Sequence, residues 1–93
     1  MKEFSKAEII DFGARLAKAG LIAAYPPRSH SHNIFSLFPQ TAAQFDWLRR
    51  TYGTTANVCI LHPAAAVLDV CPELVGCVRE TKSGKFCRIM IQL

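Results

Sequence analysis

Residues 74–93 constrain the fold most tightly, because they have the pattern of two alternating strands around a glycine turn. The segments 74–81 and 86–93 flank Lys82-Ser83-Gly84-Lys85. If Thr81 lies opposite Phe86, the side chains separate into an apolar face and a mixed face. A shift of one residue would place Arg88 in the core, so this register is favoured. The sequence therefore predicts a C-terminal β-hairpin over 74–93.

The two faces of this hairpin differ in composition. The face expected to point into the core consists of Leu74, Gly76, Val78, Cys87, Ile89, Ile91 and Leu93. The opposite face consists of Val75, Cys77, Arg79, Thr81, Phe86, Arg88, Met90 and Gln92. We expect the segment 86–93 to lie at a sheet edge, where it is available to pair with another chain, including a second copy in a homodimer.

A strand–helix–strand pattern precedes the hairpin, over about the length of a βαβ unit. An apolar run over 34–38 is followed by a helix over 41–52, which begins at a capping pair of Thr41 and Gln44. Continuous apolar character then predicts a central strand over 57–62, buried on both faces of the sheet.

The first helix is expected over residues 5–19. Ser5 and Glu8 form an S-x-x-E capping box at its start, and Gly20 is suited to its end. Gly13 either weakens the helix by about 1 kcal/mol relative to Ala or marks a close contact. The apolar positions at helical spacing are Ile9, Phe12 and Leu16.

Two segments allow more than one interpretation. Residues 21–25 alternate like a short strand. If they pair with the run at 34–38, the two segments form a hairpin over 21–38, and the parallel geometry of the strand–helix–strand unit is lost. Residues 63–70 are typical of a short helix that begins with Pro63, with a strand over 67–71 as the alternative.

One segment resembles part of a known family. Residues 16–22, followed by a polar loop and the run 34–37, resemble the end of a winged-helix recognition helix and its wing. That family has two further helices before the recognition helix, and only fifteen residues precede Leu16. A helix capped by Gly20 that enters a hairpin is the simpler interpretation, and we adopt it.

Composition sets the broad class of the protein. Its 93 residues are enough for one domain, 1–93, and 51% of them are hydrophobic, which is high for so small a core and leaves apolar surface for a partner. The net charge of +4 favours anionic partners. The N-terminus lacks the apolar segment of a signal peptide, and the cysteines lie in apolar runs. We therefore expect a soluble protein of the reducing cytoplasm, without contact with a membrane.

These patterns together predict the α+β class: a small domain with a mixed or antiparallel sheet of four to five strands and two main helices on one face. The four cysteines contain no C-x-x-C, and no phosphate-binding or dinucleotide-binding glycine motif occurs. We therefore expect neither an enzyme nor a cofactor. His30 and His32 form the one weak candidate for a metal site, without a nearby ligand to complete it.

The functional expectation concerns surfaces. The sequence favours a small non-catalytic protein-binding module, such as an inhibitor or accessory subunit that docks onto a larger protein or ribonucleoprotein complex. In size and composition it is similar to modulators encoded by phages or mobile elements. The alternative is a nucleic-acid-binding domain that uses the basic and aromatic hairpin face. The candidate partner-binding residues are Arg79, Lys82, Lys85, Phe86, Arg88, Met90, Arg28, Arg49 and Arg50.

Overall fold

A computed structural model describes residues 3–22 and 38–93. Its elements are α1 (Lys6–Lys18), α2 (Ala42–Tyr52), β1 (Thr55–Ile60), α3 (Ala64–Val70), a 3-10 turn (Pro72–Leu74), β2 (Val78–Glu80) and β3 (Cys87–Gln92). The predicted α+β class is confirmed. The described residues contain a three-stranded antiparallel sheet and three helices, where four to five strands and two main helices were expected.

The sheet has the order β1-β3-β2, with both pairs antiparallel. The backbone N–H of Thr81 donates to the carbonyl oxygen of Phe86 at 3.0 Å, and Arg79 lies opposite Arg88. The predicted register of the hairpin is therefore confirmed.

Two expectations about the strands are wrong. The segment 86–93 is not an edge strand, because β3 pairs with β1 on one side and with β2 on the other. Over residues 87–89, where both neighbours are paired, a second copy could add to β3 only by displacing β1 or β2. The strand expected over 57–62 begins two residues earlier and alternates, with Val58 and Ile60 buried while Thr55 and Asn57 are exposed. It is thus buried on one face and not on both.

The first strand of the hairpin is shorter than the predicted 74–81. Leu74 ends the 3-10 turn, and Gly76 has φ +90°, a left-handed conformation that glycine adopts without strain. This turn interrupts the alternation. Cys77 is consequently buried and Gly76 exposed, the reverse of the expectation, while Cys87, Ile89 and Ile91 face the core as predicted.

The helices begin at side-chain caps. In α1, the Ser5 hydroxyl accepts from the Glu8 N–H at 3.1 Å and the Glu8 carboxylate accepts from the Ser5 N–H at 2.9 Å, which is the predicted capping box. In α2, the Thr41 hydroxyl accepts from the Gln44 N–H at 3.2 Å, but the Gln44 side chain accepts from Gln40, one residue upstream of the expected partner.

All three helices pack on the same face of the sheet. Helix α3 occupies the segment for which a strand was the alternative. Side chains from the helices and from the inward face of the strands form one buried cluster. Its largest members are Ile9, Phe12, Leu16, Ile22, Phe38, Phe45, Val58, Ile60, Val67, Leu74, Ile89 and Ile91. The opposite face of the sheet receives no helix from the described part of the chain.

Polar contacts join α1 to its neighbours at the surface. Lys6 pairs with Asp46 of α2 at 2.8 Å. Arg15 pairs with Glu73 of the 3-10 turn at 2.8 Å and with Asp11 at 3.3 Å. Such exposed pairs contribute little individually, so the shared apolar cluster is the main support of the fold.

Residues 23–37 fall outside the described part of the chain. The strand predicted at 34–38 lies within this gap except for Phe38, as does the segment that resembles a wing. Of the strand predicted at 21–25, Leu21 and Ile22 are described and form a bend, and residues 23–25 lie in the gap. At its borders Ile22 and Phe38 are buried in the core. None of the described helices is long and apolar enough to cross a membrane.

Gly13 is at a close contact between α1 and the segment that enters α2. A Cβ atom at Gly13 would lie 1.8 Å from the carbonyl oxygen of Pro39, and Pro39 is buried. Because the obstacle is backbone, the segments must separate to admit a methyl group.

We predict that Gly13→Ala lowers the free energy of unfolding by about 1–3 kcal/mol, the usual range for overpacking. Helix propensity alone predicts the opposite sign, a gain of about 1 kcal/mol. Urea denaturation measures the difference, and Ala14→Gly at the exposed neighbouring position is the control, expected to lose about 1 kcal/mol. A stabilised Gly13→Ala variant would show that the contact with Pro39 is not tight.

Candidate functional site: the outer face of the sheet

The face of the sheet opposite the helices is the candidate site, and we call it the outer face. It consists of Thr55, Asn57, Cys59 and Leu61 from β1 and its end, Arg79 and Thr81 from β2 and its end, and Phe86, Arg88, Met90 and Gln92 from β3 and its start. Every one of these side chains is exposed except that of Cys59, which is half-buried.

The register arranges the outer face in rows across the strands. Arg88 lies between Cys59 and Arg79 in the middle row. Continuing the β1–β3 register by one residue places Leu61 opposite Phe86, at the end of the sheet near the hairpin turn. Met90 lies opposite Asn57 in the next row towards the other end.

The arginine pair in the middle row has no acidic partner. Arg79 and Arg88 are directly opposite each other, an arrangement in which like charges repel. Among residues 3–22 and 38–93, neither guanidinium has a carboxylate within 4.0 Å. Arg88 Nη2 makes one weak contact, with Cys59 Sγ at 3.9 Å. The outer face therefore carries two adjacent positive charges that an anionic group is suited to balance.

Two shallow, mainly apolar grooves lie on either side of this pair. The first has a volume of ≈ 420 Å³, and its lining includes Leu61, Phe86 and the acidic residue Glu80, which forms no ion pair with either arginine. The second has a volume of ≈ 250 Å³ and includes Cys77 and Met90. Arg79 and Arg88 line both grooves, so the arginine pair lies between them.

The apolar side chains beside the arginines are unusually accessible. Leu61 is 73% exposed, Phe86 44% and Met90 41%. Together with the arginines they form a contiguous surface of the composition that is enriched in protein interfaces.

The other predicted site residues lie beyond the ends of the outer face or outside the described residues. Lys82 and Lys85 are exposed at the hairpin tip, next to Phe86. Arg49 and Arg50 are exposed in the last turn of α2, which leads through Gly53 to the start of β1. That end of β1 is roughly 17 Å from the end near the tip, from five residue steps along a strand. Arg28, His30 and His32 lie outside the described residues.

Sequence reasoning missed Leu61 and the exposed aromatic pair of α2. Leu61 was assigned to a strand buried on both faces, although the alternation through Asn57 and Cys59 indicates an outward position. Tyr52 lies at helical spacing from Phe45 and Leu48, which are buried. It is instead 45% exposed and packs edge-to-face against Trp47, with ring centroids 5.7 Å apart.

The thiols of the sheet and its surroundings do not assemble a reactive centre. Burial is the main cause that raises the pKa of Cys71 and of Cys87, and for Cys87 the nearby Glu80 carboxylate adds to the effect. All four cysteines are free thiols. Within the part of the chain that the structure covers, no three His, Cys, Asp or Glu side chains are grouped so as to hold a metal ion.

Comparison of the chain with known protein families, curated proteins and solved structures gives no match. The functional argument therefore rests on the residues of the outer face and on general physical chemistry.

We predict that Arg79 and Arg88 are coupled unfavourably in the folded protein. In a double-mutant cycle with Arg79→Ala, Arg88→Ala and the double variant, the interaction energy should be roughly 0.2–1 kcal/mol against folding. It should shrink at high salt, because the charges are exposed. Chemical denaturation of the four proteins at low and high salt measures it.

The matched control is the cycle of Arg49→Ala with Arg88→Ala. These two arginines lie on different elements towards opposite ends of β1, so their effects should add. A favourable or zero interaction energy between Arg79 and Arg88 would contradict the conclusion that their charges repel each other without compensation.

Proposed function

We propose that this chain is a small non-catalytic binding module whose outer face docks onto an acidic surface of a larger protein or ribonucleoprotein complex. The observation that carries the proposal is the Arg79–Arg88 pair, which has no acidic partner among the described residues and lies between two apolar grooves. Two adjacent arginines that repel each other reduce the stability of the isolated protein. A partner carboxylate would reverse that effect.

The apolar flanks support a protein partner. Leu61, Phe86 and Met90 expose apolar surface that a second protein can cover, while the two arginines can form paired hydrogen bonds with carboxylates. Interface energy concentrates in such central arginine and aromatic side chains, surrounded by contacts that exclude water.

The proposed role is that of an inhibitor or accessory subunit in the reducing cytoplasm, where the four thiols stay reduced. An origin in a phage or mobile element is part of this proposal and is supported only by size and composition.

Nucleic-acid binding is the second candidate, because Phe86 lies beside Arg88 on an open sheet face, an arrangement on which single-stranded bases stack. The distribution of charge favours the protein partner. The Arg49-Arg50 pair lies on α2, towards the other end of the sheet from the lysines at the hairpin tip. The exposed apolar side chains of Leu61, Phe86 and Met90 also interrupt the basic residues of the outer face.

Affinity capture with the full chain as bait, from a lysate of the source organism, tests the proposal. We predict that Arg79→Glu with Arg88→Glu reduces recovery of the partner at least about tenfold, because charge reversal at a buried ion pair costs several kcal/mol. Arg49→Glu with Arg50→Glu changes charge by the same amount on α2 and should leave recovery unchanged. Nuclease treatment should also leave it unchanged.

Two outcomes would contradict the docking proposal. If the Arg79→Glu/Arg88→Glu variant recovers as much partner as the Arg49→Glu/Arg50→Glu variant does, the outer face is not the docking surface. Loss of recovery on nuclease treatment, together with oligonucleotide affinity that falls steeply between low and physiological salt, would favour nucleic acid instead.

A further inference from the structure

The spacing of features on the outer face indicates the kind of segment it would bind. Resting on the proposed function, we infer that the partner presents an extended acidic segment in which an Asp or Glu lies two residues from an apolar side chain on each side. The carboxylate meets Arg79 and Arg88, and the apolar side chains enter the two grooves.

The order of the features along β3 supports this pattern. Phe86, Arg88 and Met90 follow each other at intervals of two residues and belong to the first groove, the arginine pair and the second groove in turn. Two residues of a strand span about 6.8 Å, so the groove residues Phe86 and Met90 are about 13.6 Å apart along the sheet.

An extended segment has the same repeat. Its alternate side chains point to one side and are also about 6.8 Å apart, so residues i, i+2 and i+4 match the two grooves and the arginines without bending. In a helix, residues i, i+4 and i+8 are about 6 Å apart but rotate around the axis by about 40° at each step. A helix therefore presents the three side chains less well.

The positive charge of the outer face favours an acidic residue at the centre of the partner's segment. A carboxylate accepts hydrogen bonds from two guanidinium groups and relieves the repulsion between them. The flanking positions should be apolar, because the exposed parts of Leu61 and Phe86 in one groove and of Met90 in the other offer mainly carbon atoms for contact.

Selection from a random peptide library displayed on phage, with the immobilised full chain as target, tests the inference. We expect enriched peptides to share the pattern apolar-x-acidic-x-apolar. The same enrichment should appear with Arg49→Glu/Arg50→Glu as target and disappear with Arg79→Glu/Arg88→Glu. Arg88→Gln, which keeps polarity without the charge, provides a milder variant, and circular dichroism confirms that each target is folded.

One enriched peptide then serves as the probe for affinity, measured by fluorescence anisotropy. Its counterpart with the acidic residue replaced by the matching amide should bind about tenfold or more weakly to the native chain. The two peptides should bind about equally to Arg79→Gln/Arg88→Gln, in which both guanidinium donors are absent. With Arg88→Gln alone the difference should be smaller than with the native chain, because Arg79 still donates to the carboxylate.

Three results would overturn the inference: enriched peptides without an acidic residue, acidic peptides without apolar residues at both flanking positions, or no enrichment that depends on Arg79 and Arg88. If capture of the partner still requires these arginines, the docking proposal survives such a result and only the extended acidic segment is rejected. If capture does not require them, both are rejected.

Discussion

Burial of Ile89 and Ile91 beneath the helices is the constraint on which the rest of the structure depends. Both side chains are fully buried, and β3 lies between the other two strands, so its position fixes theirs. Successive residues of a strand point to opposite faces. Placing the isoleucines in the core therefore forces Arg88 and Met90 outward. The outer face is in this sense a consequence of core packing, and its register cannot slip without placing a charged guanidinium in an apolar interior.

The outer face combines features that do not favour the stability of the isolated chain. Arg79 and Arg88 repel each other across the pair, and Leu61 leaves most of its side chain in water. On the helices, Lys6 pairs with Asp46 and Arg15 with Glu73, whereas Lys18, Arg49 and Arg50 have no ion-pair partner among the described residues. The outer face differs in that two unpaired arginines lie directly opposite each other between two apolar grooves. This juxtaposition is the physical reason for proposing that the outer face binds an acidic partner.

The sequence predicted the parts of the fold that depend on strict local patterns. The capping box at Ser5, the hairpin register and the outward position of Arg88 follow from short-range rules, and the structure has all three. Strand order depends on which apolar surfaces fit together, which no local pattern contains, so the middle position of β3 was missed. The outward position of Leu61 was missed because a continuous apolar run was taken as burial on both faces. The Arg49-Arg50 pair was grouped with the hairpin by charge, although the fold places it towards the other end of β1.

The central claim is that the outer face is the surface buried by the partner, and Met90 reports on it directly. The chain has two methionines, so methyl-labelled methionine gives a simple spectrum in which Met90→Leu assigns the Met90 signal. On addition of the purified partner captured by the full chain, the account predicts that the Met90 methyl resonance shifts or broadens, because the partner covers the second groove. A complex that forms while this resonance remains unchanged would contradict the claim.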